Sequence, residues 1–276
     1  MKKPSSIQVV HLFPETLDAL LDLLSDLSPD DWQQPTVCVG WRVKDIAAHL
    51  LGGEVGILSR KRDRHMYSGS PIIEWRELVT LINDLNESWV KATRRLSPRL
   101  LCDLLRITGE QANAYFASLD AASLGDPVDW AGPEAAPVWL DLAREYTERW
   151  HHQQQIRDAV NRPGLNGPRY LAPVLDAFVR ALPRAYHDVQ ADAGALVTLA
   201  ITGAAGGRWH LLREAGAWQL YLDADKPSLA TVSLDEETAW RLFTKGIEPV
   251  TARAHAVIEG DERLALPALG MISIIG

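Results

Sequence analysis

Glu148 and His152 lie four residues apart in a stretch whose apolar spacing predicts a helix over 138–160. On a helix, residues i and i+4 rise from adjacent turns of one face, so this carboxylate and imidazole can reach one divalent ion together. His49, on a different predicted helix, would add a third ligand. Two imidazoles and one carboxylate leave coordination positions open for water or a substrate, as a catalytic metal requires. His151 competes with His152, because Glu148 and His151 form an i, i+3 pair that can also chelate. Spacing alone leaves a blander alternative open, a glutamate–histidine pair on a solvated helix face. Trp139, Leu142, Ala143, Tyr146 and Trp150 form the apolar stripe of this helix, and Glu148 lies opposite them. Amphipathicity by itself therefore turns Glu148 and His152 to water. A metal site here requires the helix to be covered on both sides.

Three glycines follow His49 at i+3, i+4 and i+7: Gly52, Gly53 and Gly56. Glycine inside a helix costs about 1 kcal/mol relative to alanine, so a reason is expected. Close helix packing is one reason, and room beside a metal for a bulky ligand is another. The run Arg60-Lys61-Arg62-Asp63-Arg64-His65 reads as a solvated helix end. Cys38 reads as structural, and His210 and His255 as ordinary sheet residues. Gly203 to Gly207 sits between two predicted strands and reads as a hairpin turn, since a phosphate loop should open a helix.

The elements that must hold these residues are mostly helical in the first two-thirds of the chain. Leu17, Leu20, Leu21 and Leu24 repeat at helical spacing before Ser28-Pro29, and Val43, Ile46, Ala47 and Leu50 repeat it again. Further helices are predicted over 72–96, 100–119 and 170–187, with a turn-rich gap over 121–137. From Ala191 the texture changes. Val197, Leu199 and Ile201 alternate with polar or small residues, and Trp209/Leu211 and Trp218/Leu220/Leu222 follow as further strands. Asp235 opens a short helix ending at Gly246. Arg253 to Ile258 alternates as a strand, and 261–275 is apolar enough to cover a sheet.

Composition bounds the function class. Lys and Arg total 28 against 36 Asp and Glu, a formal charge of −8, which argues against a nucleic-acid partner needing a basic face. No window offers the roughly 18 apolar residues of a membrane span. The opening MKKPSSIQVVHLFPET carries two lysines but not the apolar run of a secretory leader. Cys38 and Cys102 match no CxxC spacing. The expectation is a reduced, cytoplasmic protein, with its ten tryptophans used in core packing.

The stretch 27–54, LSPDDWQQPTVCVGWRVKDIAAHLLGGE, resembles the N-terminal signature of the mycothiol-dependent maleylpyruvate isomerase family. It carries Trp32 before Pro35-Thr36, then Cys38-x-Gly40-Trp41, then Asp45 and His49-Leu50. Residues 148–163, ERWHHQQQIRDAVNRP, are similar to the family's second signature, E-x-x-x-H-x-x-D-I-R. Residues 235–246 and 257–275 look like its C-terminal domain, so the resemblance covers nearly the whole chain.

The resemblance implies an α+β protein: an N-terminal DinB-like up-down four-helix bundle over 1–190 and a small, sterol-carrier-like α+β domain over 191–276. It implies His49, Glu148 and His152 as metal ligands, because Gln155-Ile156-Arg157 sets the register and favours His152 over His151. Gln155 stands where the family usually has Asp, so an orienting side chain beside the ligands lacks charge here, with His151 next to it. The implied ion is divalent, zinc with nickel as the alternative, and the implied cofactor is mycothiol or another low-molecular-weight thiol. Arg241, in the C-terminal signature, is the implied substrate contact. The activity implied is isomerisation or S-transfer on a small electrophile, by a monomer or homodimer. A metal-containing binder of small apolar ligands, without catalysis, is the alternative from a different class.

Overall fold

In a computed structural model of the protein, residues 1–65, 75–128 and 134–273 are described. The leucine spacing near the start does form a helix, α1 (Phe13–Ser25), which buries Leu17, Leu20, Leu21 and Leu24. The second repeat forms α2 (Val43–Gly56). Its first turn is held by the Asp45 carboxylate, which accepts the Arg42 N–H at 3.1 Å and two bonds from the Arg94 guanidinium at 2.9 and 3.2 Å. The segment predicted from residue 72 begins outside the described residues, and α3 is described over Trp75–Thr93. Next, α4 (Pro98–Ala117) starts two residues earlier than the apolar pattern suggests. Ser97 caps it by accepting the Leu100 N–H, and Pro98 has the φ a first helical turn needs. Arg60 to Arg62 of the basic run end a π-helical turn, Ile57–Arg62, that continues α2 and buries Ile57 and Leu58.

A two-stranded antiparallel hairpin, β1 (Leu124–Pro127) with β2 (Ala135–Pro137), occupies part of the expected turn-rich gap. It leads into α5 (Val138–Ala159). The expected helix over 170–187 is broken in two, α6 (Pro168–Val179) and α7 (Leu182–Ala185), with Pro183 opening the second. The sheet comprises β3 (Leu196–Thr202), β4 (Gly207–Arg213), β5 (Trp218–Tyr221), β6 (Ala230–Asp235) and β7 (Val257–Gly260), in the order β5-β4-β3-β6-β7. Only β3 and β6 run parallel in it. Between β6 and β7 come α8 (Glu236–Phe243) and α9 (Pro249–His255), and α10 (Glu262–Ala265) follows β7.

One strand expectation is corrected, and one strand is additional to those expected. Arg253 to His255 belong to α9, because Pro249 starts a helix at that point and only Val257 onward pairs with β6. β6 went unanticipated, although its buried Ala230, Val232 and Leu234 alternate with Thr231 and Ser233. The left-handed residue ending α8 is Lys245 (φ 59), and the Gly246 N–H closes back on the Arg241 carbonyl at 2.7 Å.

The chain groups into two compact units. A helical unit takes Val9–Asp120 and Glu145–Leu165, and a sheet unit takes Met1–Gln8, Ala121–Arg144 and the described residues from Asn166 on. Both are discontinuous in sequence. The physical reason is packing. Within the sheet unit the Phe178 ring of α6 lies 6.4 Å from Phe243, and Tyr186 donates to the Leu264 carbonyl at 2.7 Å. The core of the helical unit is built from the α1 and α2 leucines with Val43, Ile46, Ala47, Leu101, Leu105 and Ile156. Among the described residues no helix is long and apolar enough to cross a membrane.

Candidate metal centre

Along α5 Glu145, Thr147, His151, Gln153, Gln154 and Gln155 are buried, as are Tyr146, Trp150 and Ile156. The helix is covered round most of its circumference, which is the condition a metal site on its polar side needs. The amphipathic reading that turned Glu148 and His152 to water is therefore corrected. His152 is 13 % exposed and Glu148 is 33 % exposed.

His49, Glu148 and His152 each offer a ligand atom, and these atoms all lie within 4.8 Å of one another. All three belong to the helical unit. His152 Nε2 stands 3.4 Å from a Glu148 oxygen, one turn back on α5. The His49 and His152 rings meet edge-on, with centroids 4.6 Å apart. Trp41 is a further ring neighbour, 5.2 Å from His49. Burial first, then the neighbouring His152, holds the His49 pKa down to about 3, with Glu148 pulling the other way. His49 thus stays neutral at ordinary pH, as a metal-binding imidazole must. A half-exposed carboxylate beside two imidazoles fits a divalent ion by donor type as well as by distance.

Gln155 and His151 are close by in roles of their own. His152 Nδ1 lies 2.8 Å from Gln155 Oε1, and the Gln155 amide nitrogen lies 3.1 Å from His151 Nε2. The Cys38 thiol donates to the same Gln155 oxygen at 3.4 Å, and burial pushes that thiol's pKa up. Cys38 was read from the sequence as structural only, and its contact with the residue behind His152 depends on a loop-to-helix approach that spacing does not encode. Arg241, expected as a substrate contact, belongs to the sheet unit, where it pairs with Glu237 at 2.6 Å and lies 4.3 Å over the Trp240 ring.

The glycines after His49 divide. A Cβ on Gly52 would stand 2.8 Å from the Trp89 ring, which is anchored by its N–H to the Ala48 carbonyl. Gly52→Ala should therefore cost about 1–3 kcal/mol by overpacking. A Cβ on Gly53 meets nothing within 4 Å, so Gly53→Ala should gain up to about 1 kcal/mol of helix propensity. Thermal unfolding of the two variants checks the opposite signs. A Gly53→Ala protein that is more stable yet binds thiols more weakly would identify that open position as thiol space.

A family model described as the mycothiol maleylpyruvate isomerase N-terminal domain matches residues 13–157, just over half of the chain. Two solved structures of a mycothiol-dependent maleylpyruvate isomerase, one a histidine-to-alanine mutant, are similar in fold with a TM-score of 0.52. Each is 11% identical and covers 84% of this chain and 86% of its own. A solution structure of the sterol carrier protein domain 2 of Helicoverpa armigera covers 39% of this chain and 91% of its own at 17% identity, with a TM-score of 0.26, too low to bear on the fold. Among curated proteins, none matches. With the N-terminal model spanning α1 through most of α5, this chain belongs to the mycothiol maleylpyruvate isomerase family.

Proposed function

We propose that the chain is a metal-dependent enzyme that uses mycothiol, or another low-molecular-weight thiol, to isomerise or S-transfer a small electrophilic substrate. The observation that supports this most is the convergence of His49, Glu148 and His152, with ligand atoms within 4.8 Å. Membership of the family supports the choice of thiol. A divalent ion held by the three, zinc or nickel, would supply a nucleophile at neutral pH by lowering the pKa of a bound thiol or water.

The chain's own residues then have definite tasks. Glu148 contributes a single negative charge, which compensates only part of a dication and favours an anionic thiolate as partner. His49, kept neutral by burial, stays available as a ligand without first losing a proton. Addition of a thiolate to an activated double bond forms a C–S bond and leaves a single bond that can rotate. Expulsion of the thiolate restores the double bond in the other geometry and returns the thiol unchanged. In S-transfer the C–S bond is kept and a leaving group departs instead. A cytoplasmic setting accords with Cys38 and Cys102 being free.

Cobalt-substituted protein titrated with mycothiol tests this. A new thiolate-to-cobalt absorption band, saturating at one thiol per chain, is the expected result. A cobalt spectrum indifferent to every thiol offered would contradict the proposal and point to a binder without thiol chemistry.

A further inference from the structure

A carboxamide can donate and accept at once, and the Gln155 amide does both, toward different histidines. Its oxygen receives His152 Nδ1 at 2.8 Å, and its nitrogen reaches His151 Nε2 at 3.1 Å. An amide oxygen only accepts, so the His152 proton must sit on Nδ1. The lone pair of His152 is then on Nε2, the atom that faces Glu148 at 3.4 Å. An amide N–H only donates, so His151 Nε2 must carry a lone pair, and that lone pair is already in use. We propose that Gln155 is a positioning residue that sets the tautomers of both histidines, turning His152 Nε2 into the metal ligand and withdrawing His151 from competition.

The arrangement is sterically fixed. Gln155 is 7 % exposed and His151 4 % exposed, and the His151 and His152 rings stack with centroids 5.3 Å apart. The Cys38 thiol donates to the same oxygen at 3.4 Å. With the amide turned over, its nitrogen would face His152 Nδ1 and the imidazole proton would move to Nε2, where it blocks metal binding. A carboxylate at 155 could orient His152 equally well, but it has no donor for His151. The glutamine and the second histidine therefore work as a pair, and they orient the ligand without adding negative charge to the centre.

The inference rests on His152 being a ligand, so its test has one arm that needs no metal. Nitrogen-15 imidazole spectra of the metal-free full chain, taken at about pH 8, above the ordinary histidine range of about 6.5, report the tautomers directly. Protonation of both His151 and His152 on Nδ1 is the expected result, and an Nε2–H on His152 overturns the inference whether or not metal binds. In the metal arm, chelator competition should show Gln155→Leu weakening zinc binding about 10–100-fold, with Gln155→Glu restoring it. Unchanged zinc affinity in a folded Gln155→Leu protein overturns the positioning role while leaving the ligand set intact. Zinc binding that is absent from the unaltered protein overturns the ligand set instead.

Discussion

His49→Ala, Glu148→Ala and His152→Ala should each purify with far less metal than the unaltered protein, whereas His151→Ala should retain it. A three-ligand site that loses one donor keeps only a pair, and structural zinc sites derive about 10–16 kcal/mol of apparent binding free energy from their full donor set. Loss of one ligand is therefore expected to lower affinity by orders of magnitude. His151 is spared because its Nε2 is engaged by Gln155 and it is not among the residues whose ligand atoms converge. Elemental analysis of the four purified variants checks this pattern. A Glu148→Ala protein with full metal content would remove Glu148 from the site.

The second large effect lies elsewhere on α5. Arg149 pairs with Glu145 at 2.9 Å, with side chains 13 % and 10 % exposed. Its guanidinium lies 5.4 Å from the Phe13 ring centre and 5.2 Å from that of Phe116, and its Nη2 has no hydrogen-bond partner. Removing one member of a buried ion pair is costly, so Arg149→Met should destabilise the fold by about 3–5 kcal/mol.

Near it, Glu54 lines a small cavity with Leu17, Leu20, Asn113, Arg149 and Gln153 and accepts a bond from the Thr108 hydroxyl at 2.5 Å. Burial raises the Glu54 pKa from 4.5 to about 7, with Arg149 and Thr108 opposing. The unfolded chain releases this proton at lower pH than the folded one does, so stability falls as pH rises from about 4.5 to about 7 and stays lower above that. At about 1.4 kcal/mol per pKa unit the loss is on the order of 3 kcal/mol. Glu54→Gln should flatten the fall and be the more stable protein at neutral pH. Urea midpoints at about pH 5 and about pH 8 read both effects, and equal slopes in the two proteins would show that Glu54 ionises without cost.

How much of this was legible beforehand depends on whether spacing or tertiary approach decides each feature. The leucines of α1, the Val43–Leu50 repeat of α2 and the alternation of β3 with β4 are local patterns, and the structure follows them. The strand expected over 253–258 failed because alternation over so few residues loses to Pro249, which starts α9. The helix expected over 170–187 failed at Pro183 for a similar reason. In α5 the apolar stripe was real, but polarity did not mark exposure: Thr147, Gln153 and Gln154 are at most 2 % exposed. A hydrophobic pattern treats such residues as solvent-facing and so misplaces Glu148 and His152.

At the site itself, Glu148 and His152 are visible as an i, i+4 pair, whereas joining them to His49 took the signature around 27–54. The amide of Gln155, its two histidine partners and the Cys38 thiol behind it are set by side-chain orientation. No spacing rule carries that information.

X-ray absorption at the metal edge of freshly purified, thiol-free protein measures the proposed centre most directly. One divalent ion per chain, surrounded by imidazole nitrogen from two histidines and by carboxylate oxygen, is the expected result. Sulfur scattering in that thiol-free sample, or a chain that carries no ion after purification with metal supplied, would contradict the assignment of His49, Glu148 and His152.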